Sequence, residues 1–166
     1  MEHEERMRLA LVEARLAARE GEVPVGCVIV DAQGRVIGRG HNRREQKKSA
    51  LAHAEIEAIE QACRAKNDWR LSDCSMYVTL EPCPMCAGAA INARLGRIYY
   101  GAREANSGSC GSVFNLFVEN FPHIPQIYGG ILEEECARVL SEFFQDLRQK
   151  GQTEMGRPDE SNSGSS

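Results

Sequence analysis

Two short donor clusters, His53-Ala54-Glu55 and Pro82-Cys83-Pro84-Met85-Cys86, restrict this chain more than any other feature. One imidazole and two thiols suit a single zinc ion, so the fold must bring the clusters together. Structural zinc sites normally close with four protein ligands. A catalytic site keeps one position for water, whose pKa the metal lowers from about 15.7 to about 7. With His53, Cys83 and Cys86 as ligands, Glu55 is free to move protons. A Cys-x-x-Cys pair by itself is also a dithiol redox motif; the upstream His-x-Glu favours metal.

The spacing places both clusters at helix starts. Pro82 suits the first position of a helix through Ala93, where Cys83 and Cys86, three apart, share one face. Free N–H groups and the positive end of the dipole favour thiolate there. His53 and Glu55 would point apart on a regular helix, so they are expected on the first turn of a helix from Ala52 to Ala65, with its open end toward the metal. Ile56 and Ile59 mark its expected buried side, with Glu57 and Glu60 on the exposed one. Glu81 is expected to cap the following helix or orient a neighbour.

Elsewhere the pattern alternates helix and strand. Glu2 to Glu20 carries Met7, Leu9, Leu11, Val12 and Leu16 at helical spacing and stops at Gly21. A β-branched run from Val23 to Asp31, the turn Asp31-Ala32-Gln33-Gly34 and Arg35 to His41 predict a hairpin. A strand over Ser75 to Leu80, the Cys83 helix and a strand over Arg97 to Gly101 imply a parallel crossover. A glycine-rich loop from Arg103 to Ser109 leads to an apolar segment around Val113 to Phe117. An edge strand near Gln126 to Tyr128 precedes a helix from Leu132 to Gln149. The expected fold is α/β, a three-layer α/β/α sandwich on a mixed sheet of about five strands.

Residues 1–150 are expected to form one domain, and 151–166, polar and without an apolar period, a disordered tail. Apolar residues at 42% and charged ones at 27% fit one ordinary core. No apolar run approaches the roughly 20 residues that span a bilayer, and the start, Met1-Glu2-His3-Glu4-Glu5, is unlike a signal peptide. A cytoplasmic protein without membrane contact is expected. Seven cysteines without a framework of pairs fit reduced thiols; Cys27, Cys63 and Cys136 are expected in the core.

The order His-x-Glu then Pro-Cys-x-x-Cys is the pattern of zinc-dependent nucleobase deaminases. Together with Val23-Pro24-Val25-Gly26, His41-Asn42, Glu81-Pro82-Cys83-Pro84-Met85-Cys86-Ala87-Gly88-Ala89, Gly101-Ala102-Arg103-Glu104 and the ending Gly130-Ile131-Leu132-Glu133-Glu134-Glu135-Cys136 with Phe143-Phe144, the chain resembles the bacterial tRNA-specific adenosine deaminases from about Glu2 to Lys150. The resemblance implies a cytidine-deaminase-like fold, one zinc per subunit and a homodimer. It implies hydrolytic conversion of the wobble adenosine of a tRNA anticodon to inosine, with Glu55 carrying protons. Asn42 would touch the flipped base or ribose, and the Ala54 N–H would bond the purine. The chain departs from the family where nucleic acid would enter: Ser49-Ala50-Leu51-Ala52 replaces Asp-Pro-Thr-Ala, and Glu104 stands for the usual aspartate.

A net charge of −4 means that RNA, if bound, meets a local basic patch. Arg43, Arg44, Lys47 and Lys48 lie between Asn42 and His53, Arg103 and Arg148 extend the run, and Phe144 offers a stacking surface. The expected partner is the tRNA anticodon stem-loop, whose unpaired base flips cheaply. The alternative is a deaminase of a free nucleobase or nucleoside, such as guanine, cytosine or cytidine. A non-catalytic, zinc-stabilised RNA-binding subunit would have no use for Glu55.

Overall fold

The structure, a computed structural model, describes residues 2–155. Helix α1 (Glu2–Arg19) buries Met7, Ala10, Leu11, Ala14 and Ala17 at helical spacing. Val12, expected on that stripe, is 49% exposed, because alanines carry much of the buried face. Strands β1 (Gly26–Val30) and β2 (Val36–His41) form the expected antiparallel hairpin. In its turn the Asp31 carboxylate accepts from the Gln33 and Arg35 N–H groups, and Gly34 takes φ 80°. There follow α2 (Arg44–Lys47), α3 (Ala54–Lys66), β3 (Ser75–Leu80), α4 (Pro84–Asn92), β4 (Arg97–Ala102), a 3-10 turn (Leu116–Val118), β5 (Gln126–Tyr128) and α5 (Glu133–Met155).

The five strands run in the order β2-β1-β3-β4-β5. Strand β1 is antiparallel to both neighbours, while β4 is parallel to β3 and β5. Helices α3 and α4 cover one face over Cys27, Ile29, Met76, Val78 and Ile98. Helix α1, with Cys136 of α5, packs on the other, over Val28, Val30, Tyr77 and Tyr99. This is the expected three-layer sandwich on a mixed sheet, including the parallel β3-α4-β4 crossover. No helix among the described residues is long and apolar enough to cross a membrane.

Close approach of helix to sheet depends on glycine. A Cβ on Gly38 would stand 2.2 Å from the Ala58 carbonyl oxygen, and one on Gly40 2.2 Å from that of Ala54. Helix α3 therefore lies on the β2 backbone through Ala54, Ala58 and Ala62. Ile56 and Ile59 are only half-buried flanks of that face. Glu57, expected outside, is also half-buried and accepts from the Arg43 guanidinium at 2.8 Å, whereas Glu60 is exposed.

Both site helices begin two residues later than predicted. Pro84, not Pro82, opens α4, with Cys83 extended before it at φ −74°, ψ 172°. A residue preceding proline is driven out of the helical region, so Cys83 becomes the cap. His53 likewise caps α3 at φ −89°, ψ 154°. Helix α5 continues to Met155, so 151–155, placed in the expected tail, are helical here; residues 156–166 lie outside those described. All seven cysteines are free: Cys27 and Cys136 are buried as expected, Cys74 is buried too, and Cys63 and Cys110 are half-buried.

Candidate active site

The two caps face each other. His53 Nδ1 lies 3.7 Å from Cys83 Sγ and 3.5 Å from Cys86 Sγ, and the three donor atoms fall within 4.8 Å of one another. Tetrahedral zinc with Zn–S of about 2.3 Å and Zn–N of about 2.0–2.1 Å requires an N···S edge of about 3.6 Å. Both N···S distances match that edge, so the three donors could hold such an ion. Among the described residues no fourth His, Cys, Asp or Glu joins the set, so a tetrahedral ion held there would keep one position for water.

Glu55, 4% exposed, sits on the first turn of α3 beside these donors. Its burial, reinforced by the Cys83 sulfur, raises its pKa, with His53 opposing. A carboxyl so placed takes up a proton more readily than one in water, which suits a proton carrier. Cys83 is drawn down to about 4 by the hydrogen bond from the Cys86 thiol, with burial opposing and His53 assisting. It is thiolate at neutral pH, the metal-binding form. Cys86 is raised by holding the shared proton and by burial. His53 is raised by its contact with Cys83, against its partial burial.

A cavity of about 250 Å³ opens over this group. Val23, Val25 and Leu80 form an apolar wall. The predicted Asn42, Ala54, Arg44, Glu104 and Phe144 all line it. Asn42 is buried; its amide donates to the Val23 carbonyl at 3.3 Å, and its oxygen accepts from the Arg44 N–H at 3.2 Å. Phe144, 43% exposed, meets Phe143 edge-on. Glu104 braces its own loop by accepting from the Asn106 N–H.

Five residues of the predicted basic run stand apart from the cavity. Arg43 and Lys47 turn to Glu57, Lys48 to Glu45, and Arg103 lies 4.0 Å from Glu133 with a largely exposed side chain. Arg148 is exposed on α5. The basic run is thus largely met by carboxylates, and Arg44 is the member aimed at the cavity. Two features escaped the sequence. Helix α2 is held by Glu22, 1% exposed, whose carboxylate accepts from the Glu45 and Gln46 N–H groups. Ser107 joins Glu104 in the cavity wall. Neither leaves a pattern in the chain, since each depends on contacts between distant segments.

Residues 1–148 match the MafB19-like deaminase family. The chain is 46% identical over 145 residues to the tRNA-specific adenosine deaminase of Bacillus subtilis strain 168, covering 87% of this chain and 89% of that protein. It is 46% identical over 143 residues to the tRNA-specific adenosine deaminase of Agrobacterium fabrum strain C58, covering 86% and 93%. A solved structure from work on A-to-I editing by tRNA:A34 deaminases at the wobble position of transfer RNA superposes with a TM-score of 0.75 at 44% identity, over 82% of this chain and 99% of that one. With such identity held across nearly the full length of both partners, this chain belongs to the tRNA-specific adenosine deaminase family.

Proposed function

We propose that this protein converts adenosine to inosine at the wobble position of a tRNA anticodon in the cytoplasm, using one zinc ion per subunit held by His53, Cys83 and Cys86. The observation that carries the proposal is the convergence of that donor set and buried Glu55 on one cavity, in a chain of this family. Zinc bound there would supply Lewis acidity that makes water nucleophilic near neutral pH.

The chain's own residues do the rest. The base leaves its stack and enters between the apolar wall and Asn42, where the Ala54 N–H, without an intrahelical acceptor, meets a ring acceptor. Glu55 takes a proton from the attacking water, passes it to the ring nitrogen as C6 gains oxygen, and hands the second to the departing amine. Water and adenosine thus give inosine and ammonia. Arg44, with Arg43, Arg103 and Arg148 farther out, meets flanking phosphates, Glu104 accepts from ribose or base donors, and Phe144 stacks beside the mouth.

The deciding assay offers an anticodon stem-loop with a wobble adenosine against free adenosine, cytidine, cytosine and guanine. The stem-loop is expected to be the preferred substrate; turnover of a free base alone would replace the RNA assignment with the small-molecule one.

A homodimer completes the proposal. Ala87, Ala90 and Ala93 of the α4 region pack inward on the sheet, so they do not argue for it. The outward side does: Met85 and Ala89 adjoin Leu51, 62% exposed, and Phe121, 42% exposed, in an apolar groove. Light scattering should give twice the 18.4 kDa chain mass.

A further inference from the structure

Glu81 plays no part in the chemistry above, yet its carboxylate is 2% exposed and fully engaged. Its Oε1 accepts from the Glu104 N–H at 3.2 Å and from the Ser112 hydroxyl; its Oε2 accepts from the N–H groups of Cys110 at 2.8 Å and Ser112 at 3.2 Å. The loop is wound on the carboxylate itself: a Cβ on Gly108 would stand 2.5 Å from Oε2. Main-chain bonds flank it, from the Glu81 N–H to the Ala102 carbonyl at 2.8 Å and from the Ser109 N–H to the Pro82 carbonyl at 3.0 Å.

All of these partners donate, so the site calls for a group that only accepts. An amide fails whichever way it turns. With its NH₂ at the Oε2 position it faces two backbone donors; at the Oε1 position it faces the Glu104 N–H, while the Ser112 hydroxyl can reverse. The less costly arrangement therefore releases Glu104 in particular. Glu104 and Ser107, carried by this loop, form part of the cavity wall together with Glu81.

We propose that Glu81 is a positioning residue for substrate: it holds the 103–112 loop so that Glu104 and Ser107 face the incoming RNA, and it thereby sets affinity rather than the rate of the chemical step. The proposal rests on the RNA-deaminase reading above. The donors His53, Cys83 and Cys86 and the proton carrier Glu55 lie at the starts of α3 and α4, outside this loop, so the two effects separate.

The test is Glu81→Gln, with zinc content, hydrogen exchange of the loop amides, and kcat and KM on the anticodon stem-loop. Zinc per chain should be unchanged, kcat should stay within about threefold, and KM should rise about ten- to a hundredfold, the scale of one lost hydrogen bond to a charged group. The Glu104 amide should exchange faster. Ser112→Ala, a milder change that removes one donor, should raise KM by less and in the same direction; if Glu81→Gln does not fold, an unchanged KM in Ser112→Ala overturns the proposal. An unchanged KM despite faster loop exchange overturns it, as does a fall in kcat at constant KM or loss of zinc. Should the parent protein turn over a free base and not the stem-loop, the RNA reading fails by itself. The same kcat and KM comparison on that base then judges Glu81, and an unchanged KM overturns its role.

Discussion

Substituting Gly40 with alanine tests whether the seat of α3 on β2 sets the active-site geometry. The new Cβ would lie 2.2 Å from the Ala54 carbonyl oxygen and 2.9 Å from the Glu57 Cβ. Restoring a contact of 3.4 Å displaces the helix by about 1.2 Å (3.4 minus 2.2). Overpacking of this kind costs about 1–3 kcal/mol, or roughly 3–10 °C in Tm for a chain of this size. The displaced turn carries His53 and Glu55, and a misplacement of about 1 Å can cost about 100-fold in rate. Gly38→Ala is the control. Its Cβ would meet the Ala58 carbonyl oxygen at 2.2 Å and the Ala62 Cβ at 3.2 Å, one turn farther from the site. It should lower Tm similarly while costing less than about tenfold in activity, since the first turn is spared. Thermal unfolding followed by circular dichroism, zinc per chain and inosine formation below Tm give the three readouts. A Gly40→Ala protein with parental Tm and rate would refute the reasoning; so would equal activity losses in the two variants, which would mean general destabilisation.

Glu55→Gln should keep its zinc and its Tm but lose about 10²- to 10⁴-fold in turnover, because the amide preserves shape and carries no proton; stoichiometric loss of zinc would make Glu55 a ligand instead. Cys83→Ala should bind less zinc and lose activity with it, as elemental analysis and inosine assays would report. Arg44→Ala should weaken stem-loop binding and flatten its logarithmic salt dependence by about one, read by fluorescence anisotropy. Arg43→Ala should do less, its charge being partly met by Glu57. Burial pushes the thiols of Cys74, Cys110 and Cys136 up to about 12. They should resist iodoacetamide at neutral pH and gain reactivity only as pH rises toward that value, as peptide mass spectrometry would show.

The chemistry was legible because it is local. His53-Ala54-Glu55 and Cys83-Pro84-Met85-Cys86 each place their donors within one turn, and helix starts have consistent physical signals. Strand periodicity and the β3-α4-β4 spacing likewise specified the sandwich, since a parallel pair needs a crossover and handedness leaves few ways to make one. Even the errors there were local: proline at two nearby positions left the start of α4 ambiguous, and alanines hid the buried stripes of α1 and α3.

What the sequence could not decide was which charged residue meets which. Arg43 and Arg44 are neighbours in one basic run, yet one pairs with Glu57 and the other lines the cavity. Glu22 and Glu81 are alike as letters, and only the fold makes one a clamp on α2 and the other a clamp on the 103–112 loop. A donor cluster within one turn is determined by the backbone near it. The partner of a buried carboxylate comes from a remote segment, through a desolvated contact that exists only once the sheet has assembled.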